Sequence, residues 1–105
     1  MPATAAIEVL AEPNRRRILD LLRDGERAVG DLVGSMHLTQ PAISKHLRVL
    51  RDAGLVDVRA DAQRRMYRIR PEPLEELDAW LEPYRVLWNE RLDRLERHLE
   101  GRKTR

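Results

Sequence analysis

The chain has 105 residues, of which 42% are hydrophobic and 36% are charged, and its formal net charge at pH 7 is +2. This length predicts a single small domain, 1–105, with a core of modest size. The lack of cysteine excludes disulfide bonds and thiolate chemistry. The sequence has no run of eighteen apolar residues and no basic-then-apolar leader, so we expect no membrane association and a cytoplasmic location.

The first two predicted helices combine an apolar start with a cationic turn. Ile7 and Leu10 lie among alanines in the first helix. Arg15–Arg17 follow in the first turn of the second helix, where the helix macrodipole disfavours positive charge. These arginines therefore need another partner, and we expect either phosphate or salt bridges to Asp20, Asp24 or the acidic C-terminal segment.

The next segment shows the spacing of a helix-turn-helix motif, which we place at about 28–53. Four apolar residues lie on one side of its first helix: Val29, Leu32, Val33 and Met36. Thr39 suits the N-cap of the following helix, and Pro41 suits its first turn, where a proline loses no hydrogen bond. Two short helices that meet across about three residues are typical of this motif.

The second helix of this motif separates a packing side from a polar side. The packing side carries Ile43, His46, Leu47 and Leu50 at helical spacing. The opposite side carries Gln40, Ser44, Arg48 and Arg51. Amide, hydroxyl and guanidinium groups hydrogen-bond base edges and phosphates in the major groove of DNA, which is about as wide as one helix. We therefore interpret this segment as a recognition helix; the alternative is an ordinary amphipathic surface helix with solvated charges.

A basic hairpin, or wing, is predicted at about 55–70. Gly54 suits a left-handed helix cap, after which the pattern changes to alternation. We place the strands at Leu55–Ala60 and Arg65–Arg70, with the tip at Ala60–Arg64. A two-stranded hairpin is marginal alone, so its apolar side must lean on the helices. Four arginines are then left largely toward solvent: Arg59, Arg64, Arg65 and Arg68.

This order of helix-turn-helix and basic wing resembles the winged-helix repressors of the ArsR family. The resemblance is strongest in Gln40–Val56, while Ala11–Leu22 and Arg64–Ile69 are similar to the family's second helix and second wing strand. With the flanking helices it covers nearly the whole chain. It implies a mainly α winged helix-turn-helix with a small β-hairpin. It also implies a homodimeric repressor that binds double-stranded DNA, usually at a short inverted repeat and often near its own gene.

An apolar stripe runs through the charged segment at about 72–100. Its members recur every three or four residues beside Trp80: Leu77, Leu81, Tyr84, Trp88, Leu92, Leu95 and Leu99. The chain's own hairpin can cover part of the stripe, but covering all of it is harder in so small a domain, so we expect dimerisation through this segment together with Ile7 and Leu10. Pro83 interrupts the pattern and predicts either a kink or two abutting helices. In a two-fold dimer the recognition helices would lie about 34 Å apart and match a pseudo-palindromic site.

Positive charge is concentrated in the helix-turn-helix and the wing. Residues 14–70 contain 13 Lys or Arg against 7 Asp or Glu, whereas residues 1–13 and 71–105 each carry a net charge of −2. This distribution favours a protein that meets phosphate with one face only.

The candidate DNA contacts come from these two elements. We expect Gln40, Ser44 and Lys45 to reach base edges, and Arg48 to reach a guanine or a flanking phosphate. Arg64 and Arg65 are candidates for the minor groove or the backbone, and the alternative is a hairpin that only adds solubility. The full set is Thr39, Gln40, Pro41, Ser44, Lys45, Arg48, Arg59, Arg64, Arg65 and Arg68.

The best-known metal site of the ArsR family is missing from this sequence. The resemblance places its cysteines in the stretch that corresponds to Ala28–Leu32, which holds neither cysteine nor histidine. His46, on the packing side of its helix, is predicted to be a hydrogen-bonded packing residue. An alternative zinc site across a dimer axis would use Asp93, Glu96, His98 and Glu100. The other interpretation of these four residues is a solvated helix face. No metal, cofactor or small-molecule effector is otherwise evident.

Enzymatic function is not expected, because the chain has no cysteine nucleophile, glycine-rich phosphate loop or paired-histidine motif. Two alternatives to a simple repressor stay open. A winged-helix module can bind proteins instead of DNA, but such a surface more often shows apolar or aromatic anchors. A DNA-binding protein with an organic effector near Trp80, Tyr84 and Trp88 is the other, although these aromatics more simply belong to packing.

Overall fold

The computed structural model describes residues 2–103 and shows five helices and one small sheet within them. In chain order the elements are α1 (Pro2–Leu10), α2 (Pro13–Leu22), β1 (Arg27–Ala28), α3 (Val29–Met36), α4 (Gln40–Asp52), β2 (Val56–Asp61), β3 (Arg64–Ile69) and α5 (Glu72–Lys103). The predicted class, mainly α with a small β-hairpin, is confirmed. No helix in this part of the chain combines the length and hydropathy needed to cross a lipid bilayer.

The core lies where α2, α3 and α4 meet the base of the wing. Its fully buried side chains are Ile18, Leu32, Ile43, Leu47, Leu50, Leu55 and Val56. Three of them form the packing side that periodicity assigned to α4, so the polar side of α4 is turned outward. In α3, Leu32 and Met36 are buried, whereas Val29 and Val33 are half-buried at the edge of the core.

The end of α4 is closed by a Schellman motif, which turns the chain into the wing. The Gly54 N–H donates to the Arg51 carbonyl and the Leu55 N–H donates to the Leu50 carbonyl, both at 2.9 Å. Gly54 has a φ of +75°, the left-handed conformation predicted for it. Leu55, the residue after it, is completely buried in the core.

The sheet has one strand more than the sequence predicted. β1 pairs antiparallel with β3, which gives the order β1-β3-β2. A strand of two residues is too short to show alternation, so the sequence pattern gives no signal for β1 at the start of the segment predicted as helical. The predicted wing tip was too long, because Asp61 still pairs with Arg64 in the ladder. Only Ala62 and Gln63 connect the strands, and Ala62 has a φ of +56°.

One continuous helix, α5, passes through Pro83, so the alternative of two abutting helices is wrong. Pro83 has no N–H to donate to the Ala79 carbonyl. Arg85 reinforces this turn, since its guanidinium hydrogen-bonds the carboxylates of Asp78 and Glu82 and the Asp78 carbonyl. The helix α5 packs against α1, and its residues 86–101 are exposed throughout.

Candidate nucleic-acid interface

The turn between α3 and α4 sets where the recognition helix begins. His37, at the end of α3, has a left-handed φ of 57° that reverses the chain. Thr39 Oγ1 then accepts a hydrogen bond from the Ala42 N–H at 3.3 Å and caps α4 as predicted. Gln40 and Pro41 form the first turn and are exposed. The N-terminus of α4 is therefore presented to solvent with its polar side chains.

A concavity lies between the outer side of α4 and the wing strand β3. Its lining residues are Val29, Gln40, Ser44, Leu47, Arg48, Arg51, Asp52, Arg65 and Tyr67. The lining contains three arginines, Arg48, Arg51 and Arg65, and only one acidic residue, Asp52. Within residues 2–103, none of these three arginines forms an ion pair. No ion pair within the described residues therefore neutralises their charge.

Within α4, the lining of this concavity differs from the candidate contacts at Pro41, Lys45 and Arg51. Lys45 is exposed on α4 but lies outside the lining of the concavity, one position beyond Ser44. Arg51 lines it although it was left out of the candidate contacts. The signal for Arg51 was present in the sequence, because a spacing of seven from Ser44 returns to the same side of a helix.

A second concavity adjoins the first at the wing tip. Its lining residues are Ala28, Val29, Gly30, Gln40, Gln63, Arg64 and Arg65. Gln40 and Arg65 line both concavities, so the start of α4 and the tip of the wing form one continuous surface. At its edge, Arg64 Nη2 lies 3.1 Å from Asp31 Oδ2 of α3. Sequence spacing carried no signal for this ion pair.

The other two wing arginines, Arg59 and Arg68, lie on the face of the sheet opposite to Arg65. Tyr67 faces the core, so Arg68, the next residue of β3, faces outward together with Arg59 of β2. Arg59 forms two hydrogen bonds with the Glu26 carboxylate, at 2.7 and 2.8 Å. Arg68 Nη2 lies 3.3 Å from Asp57 Oδ2. The structure therefore does not bring Arg59 and Arg68 to the concavities beside α4.

These outer pairs stabilise the ionised carboxylates. The hydrogen bond from Arg59 lowers the pKa of Glu26 below its ordinary value. The Val58 backbone N–H, and after it Arg68, lowers the pKa of Asp57. The predicted solvent exposure of the two arginine side chains is confirmed, at 49% and 59%, but each has an acidic partner that the sequence analysis did not assign.

The consecutive arginines of α2 bind the ends of two neighbouring helices, α1 and α3. Arg15 Nε donates to the Val9 carbonyl at 2.6 Å. Arg16 Nη1 donates to the Leu10 carbonyl at 2.7 Å. The third arginine donates to a carbonyl near the end of α3 at 3.4 Å. These partners are neither of the predicted ones, phosphate or carboxylate. The negative end of a helix dipole attracts cations, so Arg15 and Arg16 are unfavourable to their own helix but favourable to α1.

His46 departs from its predicted role. It is half-buried on the packing side of α4, but its buried Nδ1 has no hydrogen-bond partner in residues 2–103. Glu12 Oε2 lies 3.7 Å away, beyond hydrogen-bond distance. That carboxylate caps α2 instead, because it accepts from the Arg15 N–H at 3.1 Å. The prediction of a hydrogen-bonded histidine is therefore wrong at Nδ1, although the packing role stands.

The metal alternative depends on clustered acidic and histidine side chains, and the effector alternative depends on the aromatic residues of α5. In the part of the chain from 2 to 103, no three His, Asp or Glu side chains lie close enough to hold a metal ion together. The zinc site around His98 was placed across a dimer axis and stays a prediction. Trp80 and Tyr84 pack against each other with ring centroids 5.0 Å apart and an interplanar angle of 41°.

Known proteins share this sequence and this fold. The sequence model of bacterial regulatory proteins of the arsR family matches residues 12–58. The HTH-type transcriptional regulator Rv2034 of Mycobacterium tuberculosis is 40% identical over 72 residues, which are 69% of this chain and 67% of that protein. The transcriptional repressor SdpR of Bacillus subtilis is 30% identical over 74 residues, which are 70% of this chain and 82% of that protein.

Among solved structures, a possible transcriptional regulator for arsenical resistance is 45% identical and superposes with a TM-score of 0.68. The match covers 84% of this chain and 88% of that one, so it includes more than the helix-turn-helix. Proteins of this family regulate transcription and are not enzymes. The chain therefore belongs to the arsR family of bacterial regulatory proteins, and its function is DNA-binding transcription regulation.

Proposed function

We propose that this protein is a homodimeric, sequence-specific repressor that acts on double-stranded DNA in the cytoplasm. The observation that carries the proposal is the concavity between α4 and β3. There Arg48, Arg51 and Arg65 have no ion-pair partner within residues 2–103 and lie beside the amide of Gln40 and the hydroxyl of Ser44. Guanidinium groups suit phosphates, and the amide and hydroxyl suit base edges. The name of SdpR, a repressor, supports repression as the direction of regulation.

In this proposal α4 enters the major groove with its N-terminus first. Gln40, Ser44 and Lys45 contact base edges, and Arg48 contacts a guanine or a flanking phosphate. Thr39 and Pro41 set the start of the helix. Arg64 and Arg65 contact the adjacent backbone or minor groove from the wing tip. The outward arginines of the sheet, Arg59 and Arg68, are assigned to more distant backbone contacts.

A second copy of the chain is proposed to cover the apolar side of α5. Nine large apolar side chains of α1 and α5 are between 41% and 58% exposed in the single chain: Ile7, Trp80, Tyr84, Val86, Leu87, Trp88, Leu92, Leu95 and Leu99. Half-buried Leu10, Leu77 and Leu81 extend this surface toward the core. Monomeric soluble proteins rarely expose large apolar patches. A two-fold dimer would set the α4 helices about one DNA turn, roughly 34 Å, apart and would read an inverted repeat.

The test is selection and titration of duplex DNA. Purified protein should enrich an inverted repeat from a random duplex pool, with half-sites about 10 base pairs apart. Fluorescence anisotropy should then show binding to that repeat about a thousandfold tighter than to a scrambled duplex, with a steep negative salt slope. A duplex from upstream of the protein's own gene tests autoregulation in the same titration.

Two results would contradict the proposal. Equal, weak binding to selected and scrambled duplexes would exclude sequence specificity. An absence of binding even at low salt would favour the alternative of a winged-helix module that binds proteins.

A further inference from the structure

Arg64, at the tip of the wing, is held by an acidic residue of another element. Its Nη2 lies 3.1 Å from Asp31 Oδ2, although the two residues are 33 positions apart. The same Oδ2 accepts a hydrogen bond from the Ala28 N–H at 3.0 Å, at the start of α3. A single carboxylate oxygen therefore joins the start of α3 to the wing tip.

This ion pair lies at the edge of the proposed DNA surface. Arg64 lines the same concavity as Gln40 and Arg65. The side chains of Arg64 and Asp31 are 58% and 46% exposed, so solvent and ligands reach both. Exposed pairs of this kind are weak, whereas a guanidinium and a phosphate form a charge-assisted and often bidentate contact. A phosphate can therefore displace the Asp31 carboxylate from Arg64.

We propose that Asp31 is a positioning residue that restrains Arg64 in the free protein, and that Arg64 exchanges Asp31 for a DNA phosphate on binding. The inference rests on the proposed DNA-binding function and adds an acidic residue to it. Because phosphate contacts carry no sequence information, Asp31 lowers the affinity for every duplex by a similar factor. The residue thus limits the strength of binding without setting its specificity.

The substitution Asp31→Asn tests the exchange, because the amide keeps an oxygen that can cap α3 but loses the charge that holds Arg64. The affinity for both selected and scrambled duplexes should rise about two- to fivefold, since an exposed ion pair no longer has to be broken. The salt slope of the variant should be steeper than that of the wild type by up to about one. In the wild type, the Asp31 carboxylate loses Arg64 on DNA binding and takes up a cation, which offsets one of the cations released from DNA. The uncharged amide of the variant takes up no cation. Loss of a purely structural cap would weaken binding instead.

Three control variants make the test specific. In an Arg64→Gln background, Asp31→Asn should change the affinity and the slope far less, since no guanidinium is left to release. Asp31→Glu keeps a carboxylate at a position where Glu also caps helices, and it should behave as the wild type. Asp24→Asn removes the same charge at an exposed residue outside both concavities, and it should raise the affinity less and leave the slope unchanged.

The outcomes separate this exchange from the proposed function. If the wild type binds DNA but Asp31→Asn matches Asp24→Asn, or has the same effect with Arg64→Gln present, the exchange is wrong and the function stands. A wild-type protein that binds neither duplex at low salt would overturn both. If Asp31→Asn does not fold, Arg64→Gln alone decides: weaker binding to both duplexes with a loss of slope well below one supports the exchange, whereas unchanged binding or a loss of a full unit overturns it.

Discussion

In the proposed DNA interface, Gln40 is the side chain most directly placed for base recognition. It occupies the first position of α4 and lines both concavities, so it lies where the helix start and the wing tip meet. Its amide offers a donor and an acceptor, as a bidentate contact to adenine requires. Arg51 shares the same helix side but lies in the last turn of α4. A helix that enters a groove with its N-terminus first leaves that last turn near the backbone.

The substitution Gln40→Ala should therefore weaken binding to the selected inverted repeat by about 1–3 kcal/mol and relax the preference at one base position. Arg51→Ala should weaken binding to selected and scrambled duplexes alike and lower the salt slope by about one. Anisotropy titrations against duplexes mutated at each position measure both effects. An unchanged sequence preference in Gln40→Ala would reassign the residue to positioning.

The helix α1 depends on side chains from the next helix. It has only nine residues, which is too short to be stable alone, and its last carbonyls have no partners within the helix. Arg16 Nη1 donates to the last of them, the Leu10 carbonyl, at 2.7 Å, and to the carbonyl of Ala11, the residue after the helix, at 3.2 Å. Because α1 packs against α5, this junction also helps to hold α5 against the rest of the fold.

Removal of this link should destabilise the protein moderately. Arg16→Ala should lower the free energy of unfolding by about 1 kcal/mol, since it removes hydrogen bonds and a cation from a helix C-terminus. Arg94→Ala is the matched control, because Arg94 is exposed on α5 and its side chain has no hydrogen bond within residues 2–103; its effect should stay within about 0.5 kcal/mol. Urea denaturation measures both, and equal losses would show that the carbonyl contacts do not stabilise α1.

At the scale of the whole molecule, the single chain is elongated because α5 projects beyond the core. Its principal extents are 66 × 31 × 21 Å, and residues 86–101 are exposed although an apolar stripe runs through them. This stripe gives α5 a side that only another molecule can bury. Recognition of two half-sites is consequently expected of the proposed pair of chains and not of one chain.

The substitution Leu92→Lys should convert the proposed dimer to a monomer, because it places a charge in the centre of the apolar stripe, where Leu92 is 58% exposed in the single chain. Loss of the second recognition helix should weaken operator binding by about a hundredfold or more. Glu90→Gln makes the same change in net charge on another side of α5 and should leave the protein dimeric. Sedimentation velocity measures the assembly; a Leu92→Lys protein that sediments as the wild type would exclude this interface.

Local patterns in the sequence determined the elements and their faces. Helical spacing was sufficient to assign Ile43, Leu47 and Leu50 to the core and to turn Ser44 and Arg48 outward. The cap at Thr39 and the left-handed Gly54 followed from residue chemistry at helix ends. These features depend on neighbours within about one helical turn, so a single sequence contains all the information that they require.

Tertiary structure alone decided which distant residues meet. The partners of Arg59 and Arg64, Glu26 and Asp31, are each 33 positions away in the chain, and β1 exists only because β3 lies beside it. His46 lost its expected hydrogen bond because Glu12 caps α2. Periodicity reports which face a side chain occupies, but not which element packs against that face. Charges that look equivalent in the sequence, such as Arg59 and Arg65, were therefore separated by the fold into a paired arginine on the outer face of the sheet and an arginine that lines the concavity beside α4.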